Sequence, residues 1–293
     1  METESAAYQN KKKLKLVLAL TLTYLIAEVA GGILTNSLAL LADAGHMLTD
    51  VAGLAFALFA INTAHRSPSR KYSYGYYRTE ILAALANALV LIGISFYILY
   101  EAWQRFLDPP DVAGKPMLIV ASIGLLVNII GTWILHEGSK ESLNMKGAYF
   151  EVLSDMLTSI GVIVAAIIMW TTGWYYADPI LSAAIGLFIL PRVWVLLKDA
   201  VEILLEATPK DIDLEELETG LRKIEGVKGL HDLHVWTLTS GVNALSVHLV
   251  IRTGLPNNAI LKTVQDYIAK RFNITHTTIQ LEEEGHQDRQ NLF

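Results

Sequence analysis

The stretch Asn36-Ser-Leu-Ala-Leu-Leu-Ala-Asp-Ala-Gly-His-Met-Leu-Thr-Asp50 places ionisable side chains inside an apolar segment. Asp43, His46 and Asp50 lie three and then four residues apart, so one face of a helix carries all three. The apolar run continues to about Ala64, which is long enough to cross a bilayer core of about 30 Å. Ionisable groups inside membrane helices are costly and usually functional. This segment therefore predicts a membrane protein with polar chemistry between its helices.

Further apolar segments lie on both sides of this one. We predict six transmembrane helices, at Leu14–Leu34, Leu38–Ala64, Thr79–Phe106, Pro116–Leu135, Lys146–Trp170 and Asp178–Leu197. The gaps between them carry proline, glycine or charged residues, which end helices. The 293 residues are 53% hydrophobic and only 18% charged, against about 25% charged in soluble domains. A single soluble globule and a disordered chain are both excluded.

Charge and cysteine content exclude several function classes. The formal net charge of −6 gives no support to nucleic-acid binding. The absence of cysteine excludes disulfide scaffolds and thiolate metal sites. Lys and Arg are frequent in the N-terminal arm and in the second and fourth gaps, but absent from the first and fifth. Because positive charge favours the cytoplasmic side, we expect a multi-pass protein with both termini cytoplasmic.

The pattern changes after Glu206, because the last 87 residues hold 9 Lys/Arg and 12 Asp/Glu. We predict two helices and three strands in an αββαβ order: Asp213–Ile224, Leu230–Thr237, Asn243–Ile251, Asn257–Phe272 and Thr275–Glu282. This order fits a compact α+β domain of ferredoxin-like type. The predicted organisation is a cytoplasmic arm at 1–13, a transmembrane domain at 14–206 and a cytoplasmic domain at 207–293.

The fifth helix carries a second pair of candidate ligands. Glu151 and Asp155 are four residues apart, as His46 and Asp50 are on the second helix. Two such pairs can enclose a four-coordinate cation with one imidazole and three carboxylates. The competing interpretation is hydrogen bonding between helices, but four acceptors with no Lys or Arg nearby favour a cation or protons. For Asp43, direct ligation, a proton relay and a structural role all stay open.

Three motifs resemble the cation diffusion facilitator family. Residues 36–50 look like its second helix, Tyr74-Gly-Tyr-Tyr-Arg-Thr-Glu80 resembles its motif before the third helix, and His231-Asp-Leu-His-Val-Trp236 resembles its cytoplasmic motif. The similarity runs from about residue 14 to Glu282 and is greatest to bacterial zinc, cadmium and cobalt exporters. It implies a metal-resistance transporter in the bacterial inner membrane, not an enzyme. The resemblance further implies a homodimer that exports divalent metal in exchange for H⁺, by alternating access across the lipid bilayer.

The resemblance also implies ligands for the transported ion. His46, Asp50 and Asp155 fall on transport-site positions, whereas Glu151 stands where zinc members usually have histidine. Glutamate exchanges a nitrogen for a harder oxygen donor and adds negative charge. We expect Zn²⁺ as the main substrate, with Cd²⁺ and Co²⁺, and a harder ion such as Mn²⁺ as the alternative.

The cytoplasmic domain contains five of the eight histidines. The resemblance implies a regulatory Zn²⁺ site near the dimer interface, which makes 207–293 a metal-sensing domain. Its expected ligands are His231, His248, His276 and Glu282. The residues alone do not select four ligands, because surface histidines without a role remain an open alternative.

Two other classes of function compete with a transporter. Asp50 and Asp155 could form the dyad of an intramembrane aspartyl protease, although neither lies in a Gly-x-Gly-Asp context. A metal-responsive membrane receptor would use the cytoplasmic domain as a sensor without exchange. Peptide cleavage would identify the protease, and proton-coupled metal flux separates the transporter from the receptor.

Overall fold

The computed structural model describes residues 3–63, 70–136, 143–239, 241–254 and 256–283. Within the helices, the described side chains exclude those at positions 3–14, 50, 53–63, 143–148, 150 and 151. The chain divides into two compact units. The first contains Met1–Arg66 and Ala83–Leu197, and the second contains Ser67–Leu82 and Lys198–Phe293.

Six long helices lie in the described residues, and all but the start of α3 and the end of α6 belong to the first unit. They are α1 (Thr3–Thr35), α2 (Leu38–Thr63), α3 (Arg78–Leu107), α4 (Gly114–His136), α5 (Leu143–Thr172) and α6 (Ala177–Leu204). Each apolar segment predicted from the sequence overlaps one of them. Among the described residues, five helices are long and apolar enough to cross a membrane. The described part of α2 adds the shorter apolar stretch Leu38–Thr49.

Large apolar side chains cover the outer surface of these helices. Leu34 is 84% exposed, Trp133 is 79% exposed and Phe188 is 64% exposed. Water would disfavour so much apolar surface, whereas a helix surrounded by lipid requires it. Small residues lie inside, where Ala39, Ala42 and others allow the helices to pack closely.

The start of α2 is fixed by a carboxylate from another helix. Asp178, in the first turn of α6, accepts hydrogen bonds from Ser37 Oγ at 2.7 Å, Leu38 N at 2.9 Å and Ala39 N at 3.1 Å. These backbone N–H groups have no partner within the helix, so Asp178 acts as a cap for α2. Arg105 compensates the buried charge, with its Nη1 atom 3.5 Å from Asp178 Oδ2.

The second unit contains a three-stranded sheet with two short helices. The elements are α7 (Leu214–Arg222), β1 (Val227–Thr239), β2 (Val242–Ile251), α8 (Asn257–Phe272) and β3 (His276–Glu283). The strand order is β1-β2-β3, with β1 antiparallel and β3 parallel to β2. The helices bury an apolar stripe that includes Leu217, Leu221, Val264 and Ile268. The elements follow the order expected from the sequence.

The segment before α3 also belongs to this second unit. It contains the Tyr74–Glu80 motif, whose members contact the C-terminal residues. Arg78 Nη2 lies 2.6 Å from Glu206 Oε1, and Thr239 Oγ1 donates a hydrogen bond to Glu80. The motif therefore holds the first turn of α3 to the residues that follow α6 and to the end of β1.

Candidate metal sites

A histidine and an aspartate meet between α2 and α5. His46 Nε2 lies 3.4 Å from Asp155 Oδ1, and the two side chains are only 3% and 4% exposed. Neither atom makes a hydrogen bond with the described residues. Two ligands of one tetrahedral zinc ion, each about 2.0–2.1 Å from the metal, lie about 3.3–3.4 Å apart. The pair therefore has the separation of two ligands of one ion.

The other two predicted transport ligands lie on the same helices. Asp50 follows His46 by one turn of α2, and Glu151 precedes Asp155 by one turn of α5. Their side chains lie outside the described residues. The structure thus brings together one member of each predicted pair.

Asp43 lies one turn before His46 on α2 and is 2% exposed. Its carboxyl group interacts with the Glu28 carboxyl group of α1 and with the Thr158 side chain of α5. Glu28, which is fully buried, accepts a hydrogen bond of 3.0 Å from Tyr24 Oη. Glu28 was not among the site residues predicted from the sequence. Its spacing of four residues from Tyr24 was the available signal, because it places both polar groups on one face of α1.

A second group of metal-binding side chains forms on the cytoplasmic sheet. His231 on β1 is paired with His248 on β2, and Glu282 on β3 reaches both. Glu282 Oε2 is 3.0 Å from His231 Nε2, and Glu282 Oε1 is 3.0 Å from His248 Nδ1. One ligand atom from each of the three lies within 4.8 Å of the others. Two imidazoles and one carboxylate suit zinc, so this group fits the expected ion.

Electrostatics links two members of this group. The hydrogen bond to the Glu282 carboxylate raises the pKa of His231. Burial alone would raise the pKa of Glu282, but the hydrogen bond and charge of His231 outweigh it and the pKa is lowered. The metal-free group therefore favours an imidazolium paired with a carboxylate. A divalent ion must displace that proton in order to bind.

Asp232 is a further member of this cytoplasmic group that the sequence analysis did not select. It has a φ of 50° and lies where the pairing of β1 with β2 shifts in register between His231 and His234. Its Oδ2 atom is 3.2 Å from His231 Nδ1 and 4.0 Å from His248 Nδ1. A carboxylate on the second nitrogen of a histidine orients the first nitrogen towards a metal.

His276 lies at the other end of β3. It is paired with Ala244, whereas Glu282 is paired with Val250. Six residues of strand separate His276 from Glu282, which is about 20 Å. The His276 ring instead contacts Tyr74, with centroids 5.5 Å apart. The fourth expected ligand is thus separated from the other three within this chain.

Comparisons with known proteins cover almost the whole chain. The model of the cation efflux transmembrane domain matches residues 14–205, and that of the cation efflux protein cytoplasmic domain matches residues 209–284. A metal cation efflux system protein, CzcD of Cupriavidus metallidurans, is 50% identical over 274 residues, which is 93% of this chain and 87% of the relative. A cadmium, cobalt and zinc/H⁺-K⁺ antiporter of Bacillus subtilis is 44% identical over 282 residues, covering 94% and 90%.

Two further similarities involve a zinc transporter and a solved domain. The zinc transporter ZitB of Pectobacterium atrosepticum is 44% identical over 275 residues, covering 93% of this chain and 86% of the relative. The solved metal-bound C-terminal domain of the CzcD transporter from Cupriavidus metallidurans is 43% identical, with a TM-score of 0.24. That match covers 24% of this chain and 99% of the solved one. With both family models matched in order, the chain belongs to the cation efflux family, also called the cation diffusion facilitator family.

Proposed function

We propose that this protein is a secondary transporter, not an enzyme, that exports divalent metal cations from the cytoplasm in exchange for protons. The observation that carries the proposal is the His46–Asp155 pair, which is buried between two apolar helices at the separation of metal ligands. Relatives that align over more than nine tenths of the chain include efflux proteins, zinc transporters and antiporters.

The transport site consists of His46, Asp50, Glu151 and Asp155 in this proposal. With the imidazole neutral and the carboxylates ionised, these side chains bind a dehydrated divalent ion from the cytoplasm. When the site faces the other side, protons compete for the same lone pairs and release the ion. Histidine suits this exchange because its usual pKa of about 6.5 lies near the working pH.

Zn²⁺ is the proposed main substrate, together with Cd²⁺ and Co²⁺. The names of the relatives include these three metals. Glu151 makes Mn²⁺ the alternative, because a third carboxylate favours harder ions than an additional imidazole would.

The proposed membrane arrangement has six spans, including α2, with both termini in the cytoplasm and the protein in the bacterial inner membrane. The divisions are an arm at 1–13, a transmembrane domain at 14–206 and a ferredoxin-like, metal-sensing domain at 207–293. We also propose a homodimer, which is supported by a matched cytoplasmic-domain model whose name refers to a dimer. In the sensing domain, His231, His248 and Glu282 would hold a regulatory Zn²⁺ ion.

Transport in proteoliposomes tests this function. A metal-sensitive dye inside the vesicles reports uptake of zinc, cadmium, cobalt or manganese under an imposed pH gradient. We expect zinc uptake that requires the gradient and is abolished by Asp155→Ala. Uptake of no metal, or uptake unchanged by Asp155→Ala, would contradict the proposal and favour a receptor.

Glu151→His tests metal preference in the same vesicles. We expect the order of metals to move towards zinc and away from manganese, because an imidazole replaces a harder oxygen donor. An unchanged order would show that Glu151 does not set the preference.

A further inference from the structure

A carboxyl pair lies beside the proposed transport ligands, between α1 and α2. Glu28 is 0% exposed and Asp43 is 2% exposed. The two carboxyl groups are close enough to share a hydrogen bond. Tyr24 donates to Glu28 Oε1 at 3.0 Å, and Thr158 approaches Asp43 from α5. The pair is therefore enclosed by side chains from three helices.

Each carboxyl group keeps one buried oxygen without a hydrogen-bond partner among the described residues. These atoms are Glu28 Oε2 and Asp43 Oδ1. Two ionised carboxylates at this separation, away from water, would repel strongly. One proton held between them removes that repulsion and supplies the missing hydrogen bond. A larger cation such as K⁺ would need its oxygen ligands further apart than hydrogen-bonding distance.

Of the other titratable groups described beside the pair, His46 can carry a positive charge, whereas Tyr24 and Asp155 cannot. Tyr24 faces the pair from α1, His46 lies one turn away on α2, and Asp155 contributes from α5. Helix α4 packs on α1 and α5 and has no ionisable residue between Lys115 and His136. No described Lys or Arg forms an ion pair with Glu28 or Asp43.

From this geometry we infer that Glu28 and Asp43 form a proton-binding site distinct from the metal ligands, which carries one of the protons exchanged for metal. The inference rests on the proposed exchange function. Metal bound at His46 and Asp155 places positive charge one turn from Asp43, which weakens the hold of the pair on its proton. The O–H bond of one carboxyl group then breaks, the proton passes to solvent and a carboxylate remains.

Counting protons per metal in the full-length protein tests this inference. Proteoliposomes with a metal dye and a pH dye give the initial rates of both fluxes in one preparation. Glu28→Gln and Asp43→Asn each replace one acid by a neutral amide of similar shape. We expect each variant to exchange about one proton fewer per metal ion. Tyr24→Phe is the matched control, because it removes the hydrogen bond to Glu28 and keeps both acids, so its ratio should equal that of the wild type.

Proton release on zinc addition to the detergent-solubilised full chain, in weak buffer, gives the same count without transport. The variants should release about one proton fewer per bound zinc ion, with zinc affinity within about threefold of the wild type. An unchanged count in both variants overturns the inference. A large loss of zinc affinity also overturns it, because the pair would then belong to the metal site.

Two further results would be distinguishable from an unchanged proton count or a loss of zinc affinity: failure of the proposed exchange function, and binding of K⁺ by the pair. If the wild type exchanges no protons, the proposed function itself fails. Replacing K⁺ by choline should leave the wild-type count unchanged. A count that depends on K⁺ in the wild type but not in Glu28→Gln would assign the pair to K⁺ and overturn the proton assignment.

Discussion

Asp155 and Asp178 are both buried aspartates in the helical unit, at 3% and 0% exposure, yet their surroundings differ. Asp178 accepts three hydrogen bonds at the start of α2 and has Arg105 beside it. Asp155 Oδ1 makes no hydrogen bond with the described residues. A buried carboxylate needs donors or a cation, so Asp178 is stabilised by the fold itself. Asp155 is one of the residues that we propose bind the transported ion.

Removing the Asp178 carboxylate should destabilise the protein. Asp178→Ala leaves the N–H groups of Leu38 and Ala39 without partners. It also removes the more buried of the two carboxylates beside Arg105, the other being Glu101. Breaking a buried ion pair costs about 3–5 kcal/mol, and we expect a loss of that order in the free energy of unfolding in detergent. Asp108→Ala, at an exposed aspartate that follows α3, is the control and should change stability little. Equal losses in the two variants would refute the capping role.

A second prediction at the residue scale concerns Asp232 and zinc binding by the cytoplasmic ligands. Asp232→Ala should weaken zinc binding by about 10–100-fold, because His231 Nδ1 loses the carboxylate that orients the ring. Asp232→Asn keeps an acceptor oxygen and tolerates the φ of 50°, so it should retain most of the affinity. Competition with a coloured chelator measures both variants, in a full chain whose transport site carries His46→Ala and Asp155→Ala. Equal affinity in the Ala variant and its parent would disprove the orienting role.

At the scale of secondary-structure elements, Gly124 lies at a close contact between α4 and α1. A Cβ atom at Gly124 would collide with the ring and hydroxyl of Tyr24. Tyr24 in turn donates to Glu28, so the contact between these two helices also positions the carboxyl pair. Gly93 on α3 is the opposite case, because a Cβ atom there would meet nothing within 4 Å.

These two glycines therefore form a matched comparison. Gly124→Ala should destabilise the protein by about 1–3 kcal/mol through overpacking and should slow metal transport. Gly93→Ala should be neutral or slightly stabilising, since alanine favours a helix by about 0.5–1 kcal/mol over glycine. Thermal unfolding in detergent measures both. Similar shifts in melting temperature would show that Tyr24 moves aside without cost.

At the scale of the whole molecule, the surfaces of the two units suit different surroundings, which are lipid for the helical unit and water for the C-terminal unit. The first unit exposes large apolar side chains such as Trp133 and Phe188, whereas the second buries its apolar residues in a core of its own. The proposed topology places the α3–α4 connection outside the cell and the second unit inside it.

Cysteine labelling tests this topology directly, because the chain contains no cysteine. Asp111→Cys, between α3 and α4, should react with a membrane-impermeant maleimide in intact cells. Lys262→Cys, exposed on α8, should react only after the membrane is permeabilised. The reverse labelling pattern would show the opposite orientation in the membrane, which is the orientation of an importer.

Local patterns determined most of what was predictable. Apolar length and helical period placed the six helices, and they placed Asp43, His46 and Asp155 on inward faces, because these properties depend only on neighbours along the chain. The family resemblance, which the family models confirm, rested on motifs of the same local kind. The full ligand sets at the transport and cytoplasmic sites stay predictions.

Only the tertiary structure decided which distant residues meet. Glu28 joins Asp43 because α1 packs on α2, and Asp178 caps α2 from α6; no spacing in the sequence encodes either contact. On the sheet, the parallel register of β3 with β2 brings Glu282 to His231 and His248 and leaves His276 at the far end. Helical and strand periods are set by the local backbone, whereas contacts between elements depend on how their side chains pack in three dimensions.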